Sequence, residues 1–185
     1  MLGMYILLLS LKIRTEISIL GAWVFAFNTF NLLSLEAGHN AKIWAVCLIP
    51  LIFAGIHLAF GRKKILGVAI TALALMLQLK FNHLQITYYT LIAVIIYGIG
   101  QLAFAVKTKE LPAFGKTVAV LLLGAVLALG ANAGRLLPVL EYGKYSTRGT
   151  TNLEAEDTAG LDREYAFRWS QGKLESLTLL IPNFY

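Results

Sequence analysis

The chain has 185 residues, 58% of them hydrophobic and 14% charged, with a formal net charge of +6 and a mean hydropathy of +0.70. Soluble domains carry about 45–50% apolar and about 25% charged residues, so the composition excludes a water-soluble globule and calls for a membrane. The basic residues sit in short loops between apolar runs, which makes them determinants of orientation and argues against a nucleic-acid partner.

The apolar residues gather into runs of 15 to 21, the length that matches a bilayer. The predicted fold is therefore all-α: a polytopic transmembrane helix bundle over residues 1–140, followed by a polar, partly helical segment over 141–185. Residues 1–11 show neither a leading basic region nor a small-residue cleavage site, so they read as helix and not as a cleaved signal. At about 1.5 Å per residue they reach about 16 Å, roughly half of a 30 Å core, and read as a truncated span with residues missing upstream. Five full spans follow, at about 17–35, 43–60, 65–79, 86–106 and 117–134. Pro50 lies in the second of these, where neighbouring helices can satisfy the carbonyl it frees. Pro112 is placed in the loop before the last.

Orientation follows from the lysines and arginines of the short loops. Lys12, Arg14, Arg62, Lys63, Lys64, Lys107, Lys109 and Lys116 lie on one side, against Lys42 and Lys80 on the other. The eight-residue side is assigned to the cytoplasm of a bacterial inner membrane, which puts residues 36–42, 80–85 and 136–185 on the extracytoplasmic face. In the polar segment, Thr151 or Asn152 is expected to cap a short helix ending at Gly160. Ser170 to Ile181 is expected to form an amphipathic turn or two before Pro182. The apolar ending IPNFY reads as a second cut.

Most reactive side chains collect on the outer side. LEAGHNAK supplies Glu36, His39, Asn40 and Lys42; LQLKFNHLQITYY supplies Gln78, Lys80, Asn82, His83, Gln85, Thr87, Tyr88 and Tyr89; the end of the last span supplies Asn132 and Arg135. Lysine and tyrosine at a bilayer interface are also ordinary anchors. The concentration of imidazoles and amides on one side exceeds what anchoring requires, because polar groups at membrane depth are expensive. His39 and His83 suit phosphate contact or proton carriage, and Arg135, after Gly130–Gly134, suits a lipid phosphate. No third ligand stands at a zinc spacing from the histidines. His57, within an apolar run, is expected to be neutral and hydrogen-bonded or snorkelling, and Cys47 to be inert packing. No nucleophile elbow, phosphate-binding glycine loop or HExxH is present, and spacing names no catalytic dyad.

The combination LEAGHNAK, IPLIFAGIHLAF, ALMLQLKFNHLQITYY, GRLLPVLEYGKYSTRG and FRWSQGKLESLTLLIPNF resembles the YfhO family of bacterial membrane proteins over nearly the whole chain. That family is regarded as similar to the GT-C glycosyltransferases, which take a sugar from a polyprenyl-phosphate donor at the outer membrane face. The resemblance implies that this chain is an internal fragment of a longer enzyme. The catalytic acidic residue of such enzymes lies in a first outer loop that has no counterpart here, so the catalytic base is not assigned. It further implies membrane lipid and a polyprenyl-phosphate-linked sugar as partners, with a cell-envelope acceptor. His39, Lys42, His83 and Arg135 are then expected to line the phosphate end, and Asn40, Asn82, Gln85 and Tyr88 to orient the sugar or brace the loops. No cofactor is expected, and the use of a divalent metal is left open. Two other classes remain: a transporter or flippase of a lipid-linked precursor, and a non-catalytic assembly protein.

Overall fold

The structure, a computed structural model, describes residues 1–143, 167–168, 170, 172–179, 181 and 184. Among them every regular element is helical: α1 Leu2–Ser10, α2 Thr15–Ala26, α3 Thr29–Glu36, α4 Asn40–Phe60, α5 Lys64–Lys80, α6 Leu84–Thr108, α7 Leu111–Ala131, α8 Ala133–Gly143 and a 3-10 turn at Glu175–Leu179. The chain divides into two compact units, Met1–Arg135 and Leu136–Tyr185.

Four helical segments are long and apolar enough to cross a membrane: Thr15–Glu36, Asn40–Phe60, Leu84–Thr108 and Leu111–Ala131. Their outward faces carry large apolar side chains, among them Leu20, Ile96 and Leu127, each with about 64–65% of its surface exposed. Water does not tolerate so continuous an apolar surface on a monomer, whereas lipid tails do. The chain is thus a multi-pass membrane protein by the length and composition of its helices. The span predicted at 65–79 is α5, which has 17 residues, about 26 Å, at the short end of the usual length.

Several boundaries differ from the sequence expectation for identifiable reasons. The run predicted as one span over 17–35 is two helices, because Asn28 caps a new one: its Oδ1 accepts the Asn31 amide at 2.9 Å, the usual role of asparagine at a helix start. The Asn28 and Asn31 side-chain amides both donate to the Phe25 carbonyl at 2.7 Å, so the interruption leaves that carbonyl satisfied. The last span begins at Leu111 and not at 117, since Pro112 occupies the first turn of α7, where a missing N–H costs nothing. It ends at Ala131, and a further helix, α8, runs through Pro138. Residues 151–160, with the expected short helix, lie outside the described residues. Within the second unit, the 3-10 turn at Glu175–Leu179 is led in by the Gly172 amide, which donates to Glu175 Oε2 at 2.9 Å.

Tight turns make successive long helices antiparallel. Residues with left-handed backbone close four of them: Lys12, Gly38, Asn82 and Lys109, with φ of 62°, 75°, 55° and 60°. Glycine and asparagine adopt this conformation at little cost; the two lysines do so against a steric penalty. The centre of the first unit is the α4–α5 hairpin. A Cβ on Gly55 would lie 2.7 Å from both the Gly67 oxygen and the Thr71 nitrogen, and one on Gly67 would lie 2.7 Å from Ala59 Cα. The backbones therefore touch through Gly55, Ala59, Gly67 and Thr71, the small-residue packing that joins helices where lipid removes the hydrophobic drive. Against this hairpin pack α1 on α4, α7 on α5, and α6 on both. Ile52, Ile56 and Ala74 form the apolar centre, with Leu51, Leu75 and Tyr97 around them.

Candidate functional site

The hairpin topology gathers the chain's loops into two sets. Residues 36–40, 80–84 and 131–135 share one end of the Met1–Arg135 unit, and residues 10–15, 60–64 and 108–111 share the other. The second set carries the lysine-rich segments. The first carries the imidazoles and amides, and is the candidate site.

Two contacts draw this end together. Trp44, in the second turn of α4, stacks on Phe81 just beyond α5, with ring centroids 5.4 Å apart and planes at 13°. Arg135 donates from Nη1 to the Lys80 carbonyl, which caps the C-terminus of α5 with a cation as the helix dipole favours. Asn132 is buried and donates from Nδ2 to the Met76 carbonyl at 3.0 Å and to Ala128 of its own helix at 2.9 Å. Thus α5 is tied to the C-cap of α7 by Asn132 and to the first turn of α8 by Arg135.

Gln78 is the deepest polar residue here, with none of its surface exposed. Its Nε2 donates to the Ala45 carbonyl on α4 at 3.0 Å and to Thr90 Oγ1 on α6 at 3.2 Å, so one amide pins three helices. Thr90 in turn donates to the Ile86 carbonyl at 2.8 Å, which fixes the direction of the chain of bonds. Gln78 Oε1 is left over: buried, and without a hydrogen-bond partner. His83 Nδ1 and Thr87 Oγ1, one turn apart on α6, are in the same condition, as is Asn31 Oδ1 on α3. Every buried unpartnered side-chain atom among the described residues belongs to this half of the unit. Such groups cost about 1–3 kcal/mol each unless something supplies the missing bond.

The eight residues predicted from sequence are distributed over this end without forming one cluster of mutual bonds. Among the described residues, no hydrogen bond or ion pair joins one of the eight side chains to another. His39 and His83 are the N-caps of α4 and α6, neither making a side-chain cap bond, and neither helix has an acidic residue in its first turn. Asn40 is exposed at the first position of α4. Lys42 sets its ammonium 4.5 Å above the Phe30 ring centroid, a cation–π contact that ties α4 to α3. Asn82 is explained by its left-handed backbone in the α5–α6 turn. Gln85 donates to the Tyr89 hydroxyl at 3.0 Å, and Tyr88 lies against the Tyr89 ring at 5.9 Å. Arg135 is exposed, with its guanidinium at the α5–α6 turn.

Sequence reasoning named Gln78 and Asn132 only as members of the outer set and missed that they organise it; for Gln78, a lone amide two residues before the lysine that ends its helix was the available signal. His57, set aside, is hydrogen-bonded as expected: its Nδ1 and the Tyr97 hydroxyl are 2.8 Å apart, joining α4 to α6 away from this end. Among the described residues no group of three or more histidine, cysteine, aspartate or glutamate side chains is placed to hold a metal ion. A cavity of about 330 Å³ between α1 and α2 is lined mainly by apolar side chains, with Tyr5, and lies apart from these residues.

This end offers a guanidinium, two helix N-termini with no acidic residue in their first turns, and buried polar atoms with spare hydrogen-bonding capacity. Such an arrangement suits an oxyanion carried by an amphipathic molecule. Comparison with models of known protein families, with curated proteins and with solved structures finds no match to this chain.

Proposed function

We propose that the chain is part of a membrane glycosyltransferase of the GT-C kind, of the YfhO type it resembles. On this reading it takes a sugar from a polyprenyl-phosphate donor to a cell-envelope acceptor at the outer face of a bacterial inner membrane. The lysine-rich end then faces the cytoplasm. α5 serves as the fifth span, its short length compensated by Lys63, Lys64 and Lys80 snorkelling from its ends, and residues 136–185 are extracytoplasmic.

The observation that carries the reading is the position of Arg135. It sits on the carbonyl of Lys80, three residues before His83, whose buried Nδ1 lacks a partner. A guanidinium beside the start of a 25-residue helix is a favourable seat for a phosphate. His83 and Thr87 are placed to bond its oxygens or the first sugar hydroxyl. Arg135→Ala should weaken binding of polyprenyl phosphate to the purified chain in nanodiscs by roughly 10–100-fold, the worth of a hydrogen bond to a charged group. Equal binding by the variant would remove Arg135 from the site.

A second reading is a carrier or flippase of a lipid-linked precursor, which uses the same polar groups at the membrane. Residues 1–135 contain three carboxylates, Glu16, Glu36 and Glu110, and only Glu36, exposed at the end of α3, lies at the candidate site. Sugar transfer requires an acidic base, whereas flipping does not. Release of polyprenyl phosphate from a supplied polyprenyl-phosphate sugar decides for the transferase, and transbilayer movement without release decides for the carrier.

A further inference from the structure

The lysine-rich end carries a feature that orientation alone does not require. Between α5 and α7 runs a groove of about 260 Å³, walled by Val68, Ala69 and Ala72 on one side and by Val120, Gly124 and Leu127 on the other. It is narrower than the roughly 300–1,000 Å³ pockets of compact ligands, and its lining is apolar. At Gly124 the helices approach closely: a Cβ there would lie 3.3 Å from both Ala72 Cβ and Val68 Cγ1.

Both walls end in a lysine in the same register. Lys64 precedes Val68 and Ala72 by four and eight residues on α5, and Lys116 precedes Val120 and Gly124 by four and eight on α7. Side chains four apart stack on one face of a helix, so each lysine stands on the stripe that walls the groove. Both helices leave the lysine-rich end in the same direction, which sets the two lysine Cα positions about 12 Å or less along the axis from the Gly124 crossing. Neither lysine has a carboxylate partner: among the described residues the one ion pair is Arg14 with Glu16 at 3.5 Å. Glu110 lies six residues from Lys116 and hence on another face of α7. Arg62 and Lys63, both exposed, add to the positive charge.

We infer that this groove is a binding site for one anionic phospholipid, with an acyl chain between α5 and α7 and the phosphate held by Lys64 and Lys116. An apolar slot open to the bilayer fits a chain, and two uncompensated cations at headgroup level fit an anion. The same slot without the lysines would not distinguish lipids by charge. This site lies at the opposite end of the bundle from Arg135 and does not depend on the glycosyltransferase reading.

The test uses the chain reconstituted into vesicles of equal parts phosphatidylglycerol and phosphatidylcholine, extracted in mild detergent and weighed intact by native mass spectrometry. The expected result is one retained phosphatidylglycerol. Retention should fall by about thirtyfold in the Lys64→Ala/Lys116→Ala double variant, from the loss of two headgroup-level cations. It should return in Lys64→Arg/Lys116→Arg and persist in the control Lys107→Ala/Lys109→Ala, which removes equal charge from the same end. Ala69→Leu, which narrows the groove from an exposed position, should also expel the lipid. Equal loss in both double alanine variants, or equal retention of phosphatidylcholine, overturns the proposal. So does an Ala69→Leu variant that keeps its lipid but loses a dimer seen in the parent, since the groove would then belong to a second copy of the chain.

Discussion

In the lysine-rich half of the first unit, buried hydroxyls turn back on their own stretch of chain. Ser18 donates to Ile13, Thr71 to Gly67 and Thr117 to Ala113, at 3.3, 2.9 and 3.0 Å. At the opposite end the buried amides reach across: Gln78 from α5 to α4 and α6, and Asn132 from α7 to α5. Local closure satisfies a polar group without saying where the neighbouring helix must be. Bonds between helices fix register: His57 and Tyr97 join α4 to α6 in the lysine-rich half at 2.8 Å, while the amide bonds of the opposite end lie beside the atoms left unsatisfied. The lysine-rich half is thus held mostly by close packing of small residues, and the other by a directed amide network with capacity to spare.

The contrast rests on the α4–α5 crossing, and the largest expected effect comes from breaking it. Gly67→Leu forces a side chain into the Ala59 backbone and should cost more than about 4 kcal/mol, read as loss of a monodisperse, cooperatively melting protein in detergent. A smaller effect sharpens the comparison directly. Gln78→Leu should lower stability in mixed micelles by about 1 kcal/mol, within the range measured for hydrogen bonds between membrane helices, while Thr117→Val stays within about 0.5 kcal/mol. Equal costs for the two would erase the distinction between the ends. The smallest is Lys42→Ala, which removes the contact over Phe30 and should cost about 0.5 kcal/mol; Lys42→Arg should retain it.

Hydropathy made the helical class, the location of most apolar helices and the two-sided distribution of charge legible, because the bilayer imposes length and composition on any crossing helix. It was blind where one side chain overrides the run around it. Asn28 interrupts an apolar stretch that averages out as one span, and Pro112 looks like a loop residue until its missing N–H is placed in the first turn. Gly55 and Gly67 are unremarkable in sequence, since their spacing across a turn acquires meaning only when two helices meet. At the candidate site, sequence identified which residue types share an end but not their partners. Asn82 proves to serve its turn and Lys42 to serve Phe30, while Gln78, which looked peripheral, is central.

The interruption at Phe27–Asn28 has a mechanical consequence. It divides the first long crossing into two stiff rods, one packed on α1 and the other on α4, with the hydrogen bonds at the joint supplied by Asn28 and Asn31 and not by a continuous helix. Phe30, on the second rod, lies beneath the Lys42 ammonium. The crossing is thus jointed at Asn28, with α3 tied to α4 through Phe30 and Lys42 and α2 held against α1.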